Sequence, residues 1–436
     1  MANLILLANG FPYGNWEPYL ETEVEYYNGF DKKYICSLQI RKEHLTTIRN
    51  LSDTEISICP VPYASKIVYF INSIRAIFDK NFYSEIVKLI TNRKLNPKRL
   101  QKLVIFISRS HYEARIILKY LKNSGAMDKN SMLESGIIYS YRFEYQPYVA
   151  ILLKKYFPNY KLVTRAHRFD LYEEERDVSY IPMREYFLSM LDKIVLIAED
   201  GRKYLASKYP LYAKKLIVSR LGTVDYGEKH VNHPCGEINL VSCSTCTSVK
   251  RIHLIVEALS TIKDIKVNWT HYGEGEKMSQ LVKLSKEILP SNITWNFRGY
   301  ISNSQLLQEY NSENYHLFLN VSSSEGVPVS IMEALSFGMP CIATDVGGTS
   351  EIINHGKNGI LLEKEFNIGL LAEWISKFSV MKDDTYQAYR KNARISWENK
   401  YSANNNYSKF VECLIALING SNEDHYLTND VGKHEQ

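Results

Sequence analysis

Glu325 and Glu333 stand eight positions apart in Ser324–Glu333, SEGVPVSIME, with Gly326 and Pro328 between them. The preceding HLFLN reads as a strand ending at Asn320, so SSSEG is a polar loop at its carboxyl end. Pro328 suits the first turn of a helix, where its missing N–H costs nothing. That helix then runs through Ile331, Ala334 and Leu335 to Phe337, and Gly338 ends it. Its first turn offers free backbone N–H groups and a partial positive charge, a seat for phosphate. Both carboxylates are acceptors and suit hydroxyl groups rather than the phosphate itself. Sugar hydroxyls on one side and ribose hydroxyls on the other describe a nucleotide sugar. Lys250 opens another expected helix, where a cation opposes the helix dipole, and so reads as a charge aimed at a ligand.

The elements that must position these residues alternate between strand and helix from end to end. Strands are expected at Leu4–Ala8, Tyr34–Leu38, Leu103–Ile107, Ile137–Tyr141, Leu162–Thr164 and Ile194–Ile197, with helices at Tyr112–Leu121 and Tyr148–Tyr156 among those between them. After the polar stretch Gly222–Glu237 the alternation restarts, with strands at Ile238–Cys243, Val267–His271, Ile293–Phe297, Leu317–Asn320, Cys341–Thr344 and Gly359–Leu362. In KRIHLIVEALSTI, Ile252, Ile255, Val256 and Leu259 keep the i, i+3, i+4, i+7 stripe of a one-faced helix. Such alternation implies parallel sheets covered by helices on both faces. The fold class is therefore α/β, with two Rossmann-like doubly wound domains. Residues 1–222 form the first, 223–237 a linker and 238–400 the second. A C-terminal helix over 401–420 packs back toward the first domain, and 421–436 is a loose tail. Ligands of such sheets sit beyond the carboxyl ends of the strands, so the cleft between the domains is the expected site.

Composition is that of an ordinary globular protein, with 45% hydrophobic and 23% charged residues, which excludes a disordered chain. No apolar run reaches the roughly 18 residues of a membrane span. The start MANLILLANGF reads as a buried strand rather than a signal peptide. Seven cysteines, an odd number, argue for reduced thiols and a cytoplasmic setting. His230, His233, Cys235, Cys243 and Cys246 lack zinc-finger spacing, and Cys243 falls in a strand, so no metal site is expected. Between Arg41 and Lys122, 16 lysines and arginines face 6 acidic residues, although the whole chain carries only +5. The segment lacks aromatic platforms interleaved with these charges and the rest of the chain is acidic, which argues against nucleic acid.

The stretch SSSEGVPVSIMEALSFGMPCIATDVGGTSEII resembles the donor-binding signature of the retaining glycosyltransferases of family 4, which have the GT-B fold. GNWEPYLETEV, TRAHRFDLY, VKRIHLIVEAL, HYGEGE and FRGYIS resemble other family motifs, in order. The resemblance implies that Glu325 contacts the hydroxyls of the donor sugar and that Gly326, Val327, Pro328, Val329 and Ser330 lie along the sugar and diphosphate. It implies Glu333 on the ribose diol, Lys250 on the diphosphate leaving group, and Arg298, Gly299 and Tyr300 at the base. Gly14 would lie near the donor, and His167 would approach the reacting sugar. Family chemistry is retention by front-face attack, with a donor phosphate oxygen taking the acceptor's proton and no metal required. Thr245 departs from the pattern, because the family usually carries an arginine there; Arg251 would point elsewhere. Asp170 either caps the next turn or joins the site.

These resemblances imply a hexosyltransferase that uses a nucleotide sugar, UDP-linked on family frequency, as co-substrate and no other cofactor. The acceptor would be a glycan, lipid-linked, in the assembly of bacterial surface polysaccharide. A protein or soluble-sugar acceptor, or a non-catalytic partner subunit of the same fold, are the alternatives. The basic segment bears on this choice. Ile74, Ile77, Phe78, Phe82, Ile86, Leu89 and Ile90 form an apolar stripe, followed by Arg93, Lys94, Lys98, Arg99 and Lys102. The stripe either packs against the N-terminal sheet or lies, with residues 74–102, on the anionic inner face of a membrane.

Overall fold

The computed structural model describes residues 2–14, 16–127 and 134–421. The chain divides into two units. Unit 1 comprises Met1–Arg220 and Tyr407–Gln436, and unit 2 comprises Leu221–Asn406. The tail expected over 421–436 lies, from 422 onward, outside the described residues.

Unit 1 is built on a seven-stranded parallel sheet of β1 (Ala2–Ala8), β2 (Lys32–Ile40), β3 (Ile56–Pro62), β4 (Ser135–Ser140), β5 (Tyr160–Ala166), β6 (Lys193–Leu196) and β7 (Leu216–Val218). Its spatial order is β3-β2-β1-β4-β5-β6-β7. The helices named below are α1 (Pro18–Val24), α2 (Lys66–Ile77), α3 (Lys80–Thr91) and α4 (Pro97–Asn123). Unit 2 carries six parallel strands, β8 (Glu237–Cys243), β9 (Lys266–Tyr272), β10 (Ile293–Gly299), β11 (Leu317–Asn320), β12 (Cys341–Thr344) and β13 (Gly359–Leu362), in the order β10-β9-β8-β11-β12-β13. Its helices include α5 (His253–Ser260), α6 (Asn303–Ser312), α7 (Val329–Ser336) and α8 (Asp383–Lys400), and α9 (Ala403–Asn419) leads back into unit 1. In each sheet the chain winds outward in one direction, returns to the middle and winds the other way. The reversals fall between β1 and β4 and between β8 and β11.

Leu103–Ile107 is not a strand but part of α4. Five consecutive apolar residues fit a buried strand or a helix equally well. The longer spacing decides: Leu103, Phe106, Ile107, Ser110, Ala114, Ile117 and Leu121 are buried on one helical face, while Ile105 is half exposed. Pro97 opens the helix and the Asn96 side chain accepts from the Arg99 N–H at 2.9 Å. Two strands were not expected, the three-residue edge strand β7 and β3, ISICPVP. The two prolines of β3 hide it, and its position at the sheet edge tolerates them.

The stripe over 74–90 is not one helix either. Asp79 caps α3, accepting from Asn81 N at 2.9 Å, and breaks it from α2. Leu89 is buried and Phe82 and Ile86 pack on the unit 1 core, whereas Ile74, Ile77 and Phe78 are exposed. Arg99 donates to Val178 O (2.8 Å) and Lys102 to Asp177 O (2.6 Å), so both are engaged within unit 1.

Residues 223–237 do not form a free linker, for they cluster with unit 2. Arg394 of α8 grips Asp225 through two nitrogens at 2.8 and 2.7 Å, and Trp397 donates to Thr223 at 2.7 Å. α9 crosses the boundary and lays Phe410, Val411, Cys413, Leu414 and Leu417 against Leu4, Leu6, Val24 and Phe30 of unit 1. Beneath it Arg165 and Glu23, both fully buried, lie 3.3 Å apart, and the Arg165 guanidinium sits 4.5 Å from the Phe410 ring. Replacing Phe410, which is 0% exposed, with alanine should lower the stability of unit 1 by about 3–5 kcal/mol, read as an earlier denaturant midpoint.

Candidate functional site

The loops after β8 and β11 converge in unit 2 because these strands are neighbours that point the same way. Lys250 ends the first loop and Glu325 lies in the second. The Lys250 Nζ donates to Glu325 Oε1 at 2.6 Å, and Asn320 Nδ2 reaches the same oxygen at 3.3 Å. The two loops are also stitched along their backbones, with Ser323 N donating to Val249 O at 2.8 Å. Arg251, in the left-handed region at φ 49°, turns away and donates to Val321 O at 2.8 Å. It therefore braces the β11 loop, and Thr245, exposed, supplies no cation in the missing arginine's place.

The loop after β8 rests on the HYGEGE loop after β9 with no room to spare. A Cβ on Gly273 (φ +130°) would stand 1.9 Å from Ser244 O, and one on Gly275 (φ +159°) 2.6 Å from Cys246 O. Only glycine allows both the backbone angles and the approach.

Pro328 is the N-cap of α7, one residue outside the helix, and Val329 and Ser330 form its first turn. Their N–H groups, like those of any first turn, have no intrahelical acceptor. Gly326 and Val327 complete the approach, and Gly326 O accepts from Gly348 N at 2.7 Å. At the other end Gly338 takes φ +67° and stops the helix. Glu333 is buried within α7, where its carboxylate accepts from Asn303 Nδ2 at 2.6 Å. Burial pushes its pKa up to about 7, against the Asn303 hydrogen bond. The Cys243 thiol at the end of β8 is raised to about 12 by burial and feels both Glu333 and Lys250, so these groups share one neighbourhood.

Arg298, Gly299 and Tyr300 follow β10. Arg298 pairs with Glu309 at 3.2 Å, Gly299 O accepts from Gly273 N at 2.8 Å, and Tyr300 is largely exposed. Asn303, three residues on, ties this segment to Glu333. Sequence reasoning missed Asn303. Its signal was Ser302-x-x-Gln305, a capping box that places Asn303 at the first position of α6.

His167 and Gly14 belong to unit 1. His167 follows β5, its ring packed against Tyr141 with centroids 4.9 Å apart. Its Nδ1 lies 3.9 Å from the Asp170 carboxylate, and the side chain is only 13% exposed. Burial lowers its pKa, with Asp170 acting the other way, so the ring is held neutral. Asp170 is used structurally, accepting from the backbone of His167 (2.6 Å) and Phe143 (3.0 Å). Gly14 takes φ +59° beside His44, and its N–H donates to Thr47 O at 2.8 Å. The loop holding it is ordered by Glu17, whose buried carboxylate accepts from the N–H groups of Asn9, Gly10 and Phe11 at 2.9, 3.1 and 3.3 Å. Gly14, Trp16, Glu17, His44 and Thr47 line an open cavity of about 470 Å³. Nothing in the spacing of GNWEPYLETEV marks Glu17 as the residue that folds back.

Among the described residues no cluster of three or more His, Cys, Asp or Glu could hold a metal ion, and no helix is long and apolar enough to cross a membrane. Cys246 lies 3.4 Å from His271 Nε2 inside unit 2, and all seven cysteines are free thiols.

Residues 228–396 match the family described as Glycosyl transferases group 1, and this segment is a domain of that kind. The O-antigen biosynthesis glycosyltransferase WbnH of Escherichia coli is 28% identical over 238 residues, 54% of this chain and 64% of that protein. This chain likewise spans less than two thirds of the first curated relatives it matches. Among solved structures, a glycosyltransferase from Rickettsia africae superposes with a TM-score of 0.61 at 18% identity, over 98% of this chain and 99% of that one. Anabaena HepE in complex with UDP gives 0.61 at 14% identity, over 95% and 100%. The fold is GT-B, two parallel α/β units of Rossmann type.

The Glu333 carboxyl gives the site a pH signature. Its folded pKa lies above the unfolded value, so the folded state holds the extra proton and loses stability as pH rises from about 4.5 to 7. Glu333→Gln removes that loss. Relative to wild type, the variant should gain stability between pH 5 and pH 8 by up to roughly 3 kcal/mol, read from thermal melts at both pH values.

Proposed function

We propose that this chain is a retaining glycosyltransferase that moves a hexose from a UDP-sugar to a hydroxyl of a glycan acceptor, lipid-linked, in bacterial surface polysaccharide assembly on the cytoplasmic side. The observation that carries this reading is the Lys250–Glu325 pair, 2.6 Å apart, beside the start of α7. A cation, a carboxylate and the open N–H groups of a helix start are together what a diphosphate-linked sugar needs. The UDP found with Anabaena HepE and the O-antigen role named for WbnH support the donor and the pathway class.

In this reading the diphosphate seats on the first turn of α7 and draws Lys250 toward it, leaving Glu325 for the sugar hydroxyls. Glu333, buried and carrying a hydrogen bond from Asn303, receives the ribose diol, and the segment Arg298–Tyr300 carries the base. The acceptor oxygen attacks the anomeric carbon on the face from which the diphosphate leaves. The carbon–oxygen bond to phosphate breaks, its electron pair goes to the diphosphate, and a diphosphate oxygen takes the acceptor proton. Lys250 and the helix start stabilise the negative charge that develops. His167, its ring held neutral by burial, would approach the reacting sugar.

Thr245 favours a second reading, a non-catalytic subunit of the same fold, because the diphosphate has one cation fewer than the family pattern gives it. A screen of nucleotide sugars by thermal shift, followed by turnover of the best hit, separates the two. Binding without turnover selects the second reading. Glu325→Gln and Lys250→Ala should each lower turnover about a hundredfold or more while keeping the wild-type melting profile. Near wild-type rates in both would remove the site assignment. Turnover should also survive excess EDTA, since a lysine and a helix start supply the positive field; loss reversed by Mg²⁺ or Mn²⁺ would contradict it.

A further inference from the structure

We propose that unit 1 docks on an anionic lipid bilayer through the outer face of α2. Ile67, Ile71, Ile74 and Phe78 follow one another at i, i+4, i+7 and i+11, a single helical face, and Ile77 flanks it. These five residues are between 55 and 83% exposed. The helix cannot roll this face inward, because its other side is already committed. Tyr69 and Ala76 are buried, Tyr69 packs edge-on against Tyr112 of α4 at 5.7 Å, and Ser108 donates to Tyr69 O at 2.5 Å.

Charge selects the occupant. From Tyr63 to Lys122 there are 13 lysines and arginines and 3 acidic residues. All three acids are buried: Asp79 with His111 (2.7 Å) and Tyr148, Glu85 with Tyr180 (3.0 Å), and Glu113 with Arg109 (2.8 Å). The segment thus shows solvent Arg75, Lys80, Arg93, Lys94 and Lys98 and no carboxylate of its own. A row of exposed aliphatic side chains, in a segment whose own exposed charges are all cations, matches the boundary between acyl chains and anionic headgroups. A second copy of the chain is disfavoured, because a two-fold contact through this face would oppose two surfaces of the same sign. With no spanning helix among the described residues, attachment would be to the surface of the bilayer. The face would hold a bilayer whether or not unit 2 transfers a sugar.

The test is co-sedimentation of the full chain with phosphatidylglycerol–phosphatidylcholine vesicles and with phosphatidylcholine alone, in low and high salt. Binding to the anionic vesicles, weakened by salt, is expected. Arg75→Gln with Lys80→Gln should weaken partitioning about 30-fold, from the usual contribution of each surface cation. Ile71→Asp with Ile74→Asp should abolish binding while leaving the melting temperature unchanged, since both side chains are exposed. Wild-type protein that stays in the supernatant at low salt overturns the proposal. So does a dimer in sedimentation velocity that the two aspartates convert to monomer, which would make the face a contact between copies. Retention by an acidic polypeptide with no retention by vesicles would overturn it too.

Discussion

Two neighbouring parallel strands, β8 and β11, end on the same edge of the unit 2 sheet, and Lys250, Glu325 and the approach to α7 depend on that juxtaposition. The chain leaves β8, builds β9 and β10 outward, and returns to lay β11 beside β8. The loops after these two strands therefore emerge side by side with nothing between them. This is the point in a doubly wound sheet where a crevice must open. Lys250 and Glu325 are 75 positions apart in sequence and within 2.6 Å in space for that reason. The sheet of unit 1 repeats the arrangement at β1 and β4, where the Glu17-ordered loop and Arg142 meet at 3.4 Å.

Charge in the candidate site is held close to balance. Lys250 is matched by Glu325, and Glu333 sits where burial favours its protonated form. An uncompensated cation or carboxylate in a half-buried crevice would cost several kcal/mol or draw in a counter-ion. The same pairing fixes two long side chains in place before any ligand arrives, so less conformational freedom remains to be lost on binding. Gly273 and Gly275 serve that rigidity from below, because backbone packed on backbone leaves the β8 loop no slack to sag.

Much of the fold was legible in the alternation of apolar strands with one-faced helices. All six strands of unit 2 lie where short apolar runs placed them, to within a few residues at their ends. What failed did so for identifiable reasons. Leu103–Ile107 has the content of a strand and the neighbours of a helix, and only the period over 103–121 distinguishes them. The prolines of β3 argue against a strand unless its edge position is known, which is a property of the assembled sheet. Stretch 223–237 looks like a linker because its anchors, Arg394 and Trp397, lie some 170 positions away. In the candidate site, the loop position of Glu325 and the helical position of Glu333 follow from Pro328 and Gly338. Asn303 and Glu17 were hidden, since each acts through a partner that only the folded chain brings near.

The course of α9 has a consequence for how the molecule is made. Unit 1 contains the first 220 residues, yet one face of its sheet, with Leu4, Leu6 and Tyr139, is covered by side chains beyond Tyr407. A chain emerging from the ribosome would finish all of unit 2 before that cover exists. Domains that usually mature in order of synthesis are here interleaved. The amino-terminal sheet would wait, with an apolar face open to water, for the last helix to arrive. Buried Arg165 and Glu23 lie under that same helix, so until it docks the pair stays wet and its desolvation is deferred to the final step of assembly.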